Sequence, residues 1–228
     1  MLSCLLAGYA EDPGPFIFRG GTALARTHWL DYRLSEDLDL IAESPASDLA
    51  GWMRRLVEAA GKLAGVPLQL KFGQPNDGWS RSYVGWGNHS LVVDVNMDVR
   101  THLPVERRLL DLPYDDLRGR DLTVSTVALP EILGNKWLMI EDRKEPRDLF
   151  DVWWAVSRGS VQFATIAAGH RAKYGFSPVR QILSTAEKRL RGAWEERLAH
   201  QLHDLPEFDL ALAEVGEAYD RWEEAGEP

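Results

Sequence analysis

The stretch FRGGTALARTHWLDYRLSEDLDLI, residues 18–41, carries the densest structural signal in the sequence. It starts with extended chain that runs into Gly20 and Gly21, where the missing side chains let the backbone approach a phosphate closely. A helix that begins at Thr22 would direct its free backbone N–H groups at such an anion. The pattern predicts a strand, a glycine turn and a helix that together bind phosphate.

Two carboxylates lie at the end of this stretch. Leu38 and Leu40 alternate with Asp37 and Asp39, which predicts a strand over 35–41 with the two aspartates on the same face. Two carboxylates on one face repel each other unless a cation lies between them. Since hard cations prefer carboxylate and phosphate oxygens, we expect Mg²⁺ at this position, with nucleotide phosphates as further ligands.

A third carboxylate is expected from a neighbouring strand. Asp94 lies inside the apolar run 91–95, where a charged group is costly unless it has a function or a partner. Asp98, four residues further along, is a weaker candidate because it is close to the predicted end of the strand. Three carboxylates that hold two metal ions about 3.5–4 Å apart would activate an attacking hydroxyl and stabilise a leaving pyrophosphate.

Each carboxylate also has a purely structural interpretation. The two at the end of the quoted stretch could pair with Arg19 or Arg33. Asp94 could bind an arginine or a hydroxyl of a neighbouring strand. The residues alone leave both interpretations open.

The ordered set of motifs resembles a known family. A Gly-Gly turn, a spaced Asp-x-Asp and a later strand carboxylate form the pattern of the DNA polymerase beta-like nucleotidyltransferase superfamily. More narrowly, GGTALA at 20–25 and RLSEDLDL at 33–40 are similar to the AbiEii/MenT family of toxin nucleotidyltransferases from bacterial toxin–antitoxin systems. The resemblance extends to Lys136 and to RDLFD at 147–151, so it spans most of residues 16–156.

The resemblance implies how a nucleoside triphosphate would be bound. Gly20, Gly21 and Thr22 would hold its β- and γ-phosphates. Lys136 would neutralise these phosphates, and Asp151 would position Lys136 or the nucleotide.

The resemblance also implies a set of metal ligands. Asp37 and Asp39 would hold both metal ions, and Asp94 would hold the ion that activates the acceptor.

Two further residues keep open interpretations. Asp148 lies in the first turn of a predicted helix, where the helix dipole already favours a carboxylate, and we expect a structural role for it. Ser35 corresponds to a residue that antitoxins of this family phosphorylate, but a simple hydrogen bond explains it equally well.

The reaction that the resemblance implies is the Mg²⁺-dependent transfer of a nucleoside monophosphate from an NTP to an acceptor hydroxyl. The implied acceptor is the 3′ end of tRNA, whose modification would block translation, and a cognate antitoxin protein is the implied partner. One alternative is transfer to a protein hydroxyl or to a small molecule. Another is a non-catalytic module that senses nucleotide and binds an antitoxin.

Composition restricts the class of protein. The chain has 228 residues, 45% of them hydrophobic, and a formal net charge of −9. The single Cys4 excludes an internal disulfide framework and fits a reducing compartment. No apolar run reaches the ~20 residues of a membrane helix, so we expect a cytoplasmic protein without membrane contact.

Charge is distributed unevenly along the chain. Residues 171–197 hold seven basic and three acidic residues, whereas residues 198–228 hold nine acidic residues and one arginine. The basic segment is therefore a candidate surface for a polyanion. Solvated helix faces of opposite sign are the alternative.

The hydrophobic pattern predicts two domains. An N-terminal α/β domain, residues 1–125, would contain a mixed sheet with flanking helices, and residues 126–228 would form a C-terminal helical domain. Beyond the quoted stretch we predict a helix over 47–64 with Ser47 as its cap, strands over 67–72, 81–86 and 90–99, and helices over 129–140, 146–156, 161–174, 178–202 and 208–224. Gly87-Asn88 predicts a hairpin between the last two strands. Tyr83 and Trp86 beside it could stack on a base or a ribose, but we expect them to pack in the core.

Overall fold

The computed structural model describes residues 1–29, 32–42, 48–74, 78–112, 117 and 120–226. The chain divides into two compact units, Met1–Val127 and Ala128–Pro228. Within the described residues, the first unit combines a mixed sheet with helices and the second is helical. The predicted fold class is confirmed.

The described part of the first unit contains seven strands. They are β1 (Phe16–Arg19), β2 (Leu38–Ala42), β3 (Gln69–Phe72), β4 (Trp79–Trp86), β5 (His89–Asn96), β6 (Glu106–Leu109) and β7 (Thr123–Thr126). They form one sheet in the order β3-β4-β5-β2-β1-β7-β6. The pairs β2–β5 and β1–β7 are parallel, and the other pairs are antiparallel.

The two faces of this sheet differ in polarity. Leu38 and Leu40 of β2, Val84 of β4 and Val93 and Val95 of β5 are at most 1% exposed. Because side chains alternate along a strand, the residues between them lie on the opposite face, which carries charged side chains. The hydrophobic face therefore belongs to the core, and the polar face is available for chemistry.

Three helices belong to the first unit: α1 (Leu2–Glu11), α2 (Gly20–Thr27) and α3 (Leu49–Ala64). The helix α3 starts after Asp48, whose carboxylate accepts a hydrogen bond from the Gly51 N–H at 2.9 Å. Such a bond satisfies one of the free donors of a helix start. The predicted cap, Ser47, lies outside the described residues.

The structure corrects the sequence prediction at three strands. The strand β2 starts at Leu38, so Ser35 and Asp37 precede it rather than belong to it. The short strands β6 and β7 were not predicted. The segment β7 is only four residues long and mostly polar, and its parallel partner β1 lies more than a hundred residues earlier, at the register pair Phe18–Thr126. No local periodicity reveals such a pairing.

The second unit contains five described helices: α4 (Leu129–Asp142), α5 (Pro146–Ser157), α6 (Phe163–Tyr174), α7 (Gln181–Leu198) and α8 (Phe208–Glu224). Each agrees with a predicted helix to within a few residues at its ends. Trp137 of α4 is fully buried, with its ring stacked on Tyr219 of α8 and edge-on to Phe163 of α6. Within the described residues, no helix is both long enough and apolar enough to cross a bilayer.

Two glycines allow α4 and α6 to cross closely. A Cβ atom added at Gly134 of α4 would collide with the backbone of His170, and one added at Gly169 of α6 would collide with the backbone of Pro130. Backbone atoms cannot move aside as a flexible side chain can. The crossing therefore requires glycine at both positions.

We predict that Gly169→Ala destabilises the protein by about 1–3 kcal/mol, the usual cost of overpacking a rigid contact. Gly192→Ala in α7 is the matched control, because a Cβ there meets nothing within 4 Å. This control should be neutral or stabilising by up to about 1 kcal/mol, because alanine is the better helix former. Urea unfolding of both variants gives the two values, and equal midpoints would contradict the close crossing.

Candidate functional site

The glycine turn joins β1 directly to α2. Gly20 has φ +79°, in the left-handed region that favours glycine. A Cβ atom at this position would also collide with the carboxylate of Asp39. Among the described residues no side chain caps the N-terminus of α2. Its first N–H groups therefore point toward a site beside Asp39 that can accept an anion.

Thr22 connects α2 to the segment before β2. Its side chain is fully buried, and its hydroxyl donates to the backbone carbonyl of Asp37 at 2.5 Å. The same hydroxyl is hydrogen-bonded to the hydroxyl of Ser35 at 2.8 Å. The Thr22 hydroxyl is therefore already bonded to protein groups. Only the backbone N–H of Thr22 remains for an anion.

Arg33 lies beneath the glycine turn and was not singled out as a site residue from the sequence. It is 3% exposed, and its guanidinium donates to the backbone carbonyl of Leu34 at 3.1 Å. A Cβ atom at Gly21 would lie 2.6 Å from a guanidinium nitrogen of Arg33. Gly21 is therefore required for space, and a buried positive charge adjoins the turn.

Four charged residues form a row across the sheet. Arg19 of β1 is in register with Asp39 of β2, Asp39 with Asp94 of β5, and Asp94 with Arg81 of β4. Residues in register on neighbouring strands share a face. The two carboxylates are thus side by side on the polar face, with an arginine at each end of the row.

Arg81 binds Asp94 through two hydrogen bonds. Its Nε and one Nη donate to the two carboxylate oxygens at 2.8 and 2.7 Å. The Asp94 side chain is only 13% exposed, and this hydrogen bonding raises the pKa of the Arg81 guanidinium. The structure therefore shows the arginine partner that the sequence left open for Asp94, and both carboxylate oxygens are engaged.

A divalent cation fits this set of ligands in part. Among the described residues, no three His, Cys, Asp or Glu side chains are already arranged to hold a metal ion. Asp37 and Asp39 nevertheless supply carboxylate oxygens, which suit a hard cation, and Gly20 leaves room beside Asp39. The charge of Asp94 is already compensated by Arg81.

The weaker candidate Asp98 lies outside this row. The strand β5 ends at Asn96, and Asp98 is exposed in the turn that follows, against Gly78. It therefore does not share the face of Asp94 within a strand. This removes the geometric reason for including it in the site.

A second charged cluster lies in the helical unit. Lys136 of α4 binds Asp148 and Asp151 of α5 at 2.8 Å each, and both carboxylates are fully buried. Asp151 therefore contacts Lys136, as expected. Asp148 makes the same contact, which the helix dipole alone does not explain, so the expectation for Asp148 was too limited. Arg143 lies 4.0 Å from Asp148 and adds a second positive charge.

The basic segment 171–197 is partly neutralised within the same unit. Arg180 pairs with Asp220 of α8 at 2.6 Å. Arg191 pairs with Asp209 of α8 at 2.6 Å and with Glu187 of its own helix at 2.9 Å. The acidic residues of the C-terminal segment thus occupy two of the arginines that were expected to bind a polyanion.

Comparison with known proteins gave two matches of consequence. The model of the family described as "Nucleotidyl transferase AbiEii toxin, Type IV TA system" matches residues 4–221. Among solved structures, the chain is similar to MenT4, a nucleotidyltransferase toxin from Mycobacterium tuberculosis H37Rv, with a TM-score of 0.60 and 17% identity over 96% of this chain and 80% of that chain. At this identity the likeness shows the fold. No curated protein matches the chain.

We predict that Gly20→Ala weakens NTP binding at least about tenfold, because its Cβ displaces the Asp39 carboxylate. Gly87→Ala is the matched control, since Gly87 also has a positive φ (+53°) but a Cβ there meets nothing within 4 Å. Both variants should lose about 1–2 kcal/mol of stability from the left-handed backbone. Calorimetric titration of both variants with each NTP and Mg²⁺ distinguishes the loss of NTP binding from the shared loss of stability. Equal NTP affinities of Gly20→Ala and Gly87→Ala would refute the steric role of Gly20.

We predict that Lys136→Met destabilises the protein by about 3–5 kcal/mol, because it removes the cation that two buried carboxylates share. Adding Asp148→Asn should restore part of this loss by removing one of the two charges. The surface control is Lys62→Met in α3, whose pair with Glu58 is exposed. It should leave the midpoint of urea unfolding nearly unchanged. A loss below about 1 kcal/mol for Lys136→Met would mean that solvent compensates the cluster.

Proposed function

Because the chain belongs to the AbiEii family of nucleotidyltransferase toxins, we propose that it uses Mg²⁺ and transfers a nucleoside monophosphate from an NTP to the 3′ end of tRNA. The acceptor oxygen forms a bond to the α-phosphorus, and the bond from that phosphorus to pyrophosphate breaks. Modification of the acceptor end would stop translation, which is a direct route to toxicity.

The register of two strands carries the proposal. Asp39 and Asp94 are neighbours on the parallel strands β2 and β5, and Gly20 starts a helix beside Asp39. A phosphate-binding helix start next to paired carboxylates is what nucleotidyl transfer requires, since the triphosphate and the acceptor hydroxyl must meet at one phosphorus atom.

The chain's own groups would bind the triphosphate. The backbone N–H groups at the start of α2 would donate to the β- and γ-phosphates, with the buried Arg33 adding positive charge nearby. Lys136 has three N–H donors, and its contacts with Asp148 and Asp151 use two of them. The third is the donor we assign to the triphosphate. The two carboxylates would fix the direction of that donor.

Asp37 and Asp39 would hold the metal, with Asp94 as the third carboxylate ligand. The metal would supply charge neutralisation on the phosphates and would lower the pKa of an attacking hydroxyl. Arg81 would compensate the charge of Asp94 and fix the orientation of its carboxylate. The intact carboxylate row disfavours the non-catalytic alternative.

The toxin–antitoxin family implies an antitoxin partner, and we propose Ser35 as its target. The Ser35 hydroxyl lies 2.8 Å from the Thr22 hydroxyl and close to Gly21, next to the proposed phosphate site. Phosphorylation would add about −1.5 to −2 charge there and repel a triphosphate. It would also break the hydrogen bond to Thr22 that holds the segment before β2.

We predict that Asp39→Asn abolishes nucleotide transfer while circular dichroism stays normal, because asparagine keeps the shape but loses the charge. The loss should exceed the roughly 10²–10⁴-fold effect of a single acid–base group. The control is Asp98→Asn, an exposed carboxylate outside the row, which should retain activity. A folded Asp39→Asn protein with more than a tenth of wild-type transfer would rule out the proposed role of this carboxylate.

The acceptor is tested in the same assay. The protein is incubated with Mg²⁺, total tRNA and each labelled NTP in turn, and the labelled species are separated. We expect label at the 3′ end of tRNA with one or more NTPs. Label on a protein or a small molecule of a cell extract, with tRNA unmodified, would replace tRNA by that acceptor.

A further inference from the structure

One aromatic side chain on the polar face of the sheet is exposed where the sequence predicted core packing. Tyr83 lies in the middle of β4 and is 38% exposed. It alternates with the buried Ser82 and Val84, so it shares the face of Arg81. The expectation for Tyr83 was therefore wrong, and its ring needs another explanation.

Tyr83 is connected to the carboxylate row through Arg81. The Arg81 guanidinium binds both oxygens of Asp94, and the nearby Tyr83 hydroxyl contributes to its raised pKa. It lies 4.9 Å from the ring centroid of Trp79 on the same strand. Tyr83 thus shares its face with a charged group that binds Asp94 and packs on a second aromatic ring.

The residues around Tyr83 favour the binding of an anionic polymer. Lys71 of β3 is directly opposite Tyr83 and exposed, and the register partner of Gly85 on β3 is the exposed Gln69. None of the described residues that β3 and β4 contribute to this face is acidic. In contrast, two arginines of the basic segment 171–197, Arg180 and Arg191, are neutralised by α8. The polar face of β3 and β4 combines a cation with an exposed ring.

The position of Tyr83 relative to Asp94 indicates which part of a ligand the tyrosine ring can contact. Tyr83 is opposite Val92, so Asp94 is its diagonal neighbour, at about 7–8 Å between Cα atoms. In the proposed reaction Asp94 is the carboxylate nearest to the attacking hydroxyl. A nucleotide at the end of the acceptor must therefore lie close to the Tyr83 ring when its hydroxyl is near Asp94.

We propose that the face formed by Lys71, Trp79, Arg81 and Tyr83 binds the unpaired 3′ end of the acceptor RNA, with one base stacked on the Tyr83 ring. Stacking on an aromatic ring combined with backbone contacts to cations is the general way in which proteins bind single-stranded nucleic acid. The inference rests on the proposed function, because the acceptor hydroxyl must reach Asp94. Lys71 contacts the phosphate of the stacked nucleotide.

The test compares two tyrosine variants and one matched aromatic control. Phe72 of β3 is 37% exposed, almost as much as Tyr83, but lies on the opposite face, near Arg54. Binding of a short single-stranded RNA and of total deacylated tRNA is measured by fluorescence anisotropy without NTP. Tyr83→Ala should weaken binding of both RNAs about 5- to 150-fold. Tyr83→Phe, which keeps the ring, and Phe72→Ala should each stay within twofold of the wild type.

The electrostatic part has its own test. Lys71→Gln should reduce the magnitude of the slope of log affinity against log salt concentration by about 1, the value of one phosphate contact. Lys62→Gln on the surface of α3 should leave this slope unchanged. Unchanged RNA binding by Tyr83→Ala would overturn the proposal, as would an equal loss in Phe72→Ala. Weaker NTP binding by Tyr83→Ala with normal RNA binding would also overturn it, because the ring would then stack on the nucleotide's base.

The outcomes separate this inference from the proposed function. If the wild type transfers nucleotide to tRNA but Tyr83→Ala binds RNA normally, only the surface is wrong. If RNA binding depends on Tyr83 as expected, the RNA-binding surface is supported, even when the label is found on a different acceptor.

Discussion

The contact on which the first unit depends is the side-by-side placement of Asp39 and Asp94 on parallel strands. Two carboxylates in this position repel each other, and Arg81 compensates the charge of Asp94 through two hydrogen bonds. Position 20 favours glycine because its φ is +79° and because a side chain there would displace the Asp39 carboxylate. The row therefore accounts for the sequence of the turn as well as for the charges on the sheet.

The helical unit compensates buried charge by the opposite arrangement. A single cation, Lys136, lies between two fully buried carboxylates, so that each anion has a partner and the cation is fixed in direction. Removing charge from water is expensive, and such a cluster persists only when its geometry is good. In both units the charged groups are therefore held by partners on neighbouring elements rather than by solvent, which suits groups that must keep one orientation.

Charge along the chain is a poor guide to the charge that a partner meets. The excess of basic residues between 171 and 197 suggested a polyanion surface, yet α8 places Asp209 and Asp220 against Arg191 and Arg180. The strands β3 and β4 have no such excess, but their polar face presents a lysine and a tyrosine, and none of the described residues of these two strands on that face is acidic. Only the folded arrangement distinguishes a charge that is compensated internally from one that remains for a ligand.

The sequence by itself predicted most of the helices and strands and supplied most of the candidate site residues. Helical periodicity, the Gly-Gly turn and the Asp-x-Asp spacing are local patterns, and they predicted all five helices of the second unit and the turn before α2. The pairing of Arg81 with Asp94 also follows from the local sequence. A two-residue turn at Gly87-Asn88 places Trp86 opposite His89, and the same register places Arg81 opposite Asp94. Tertiary structure decided the rest: the burial of Thr22, the shared partner of Asp148 and Asp151, the strand β7 and the exposure of Tyr83. These features depend on contacts between elements that are distant in sequence, and side-chain periodicity within one element carries no information about which other element packs against it.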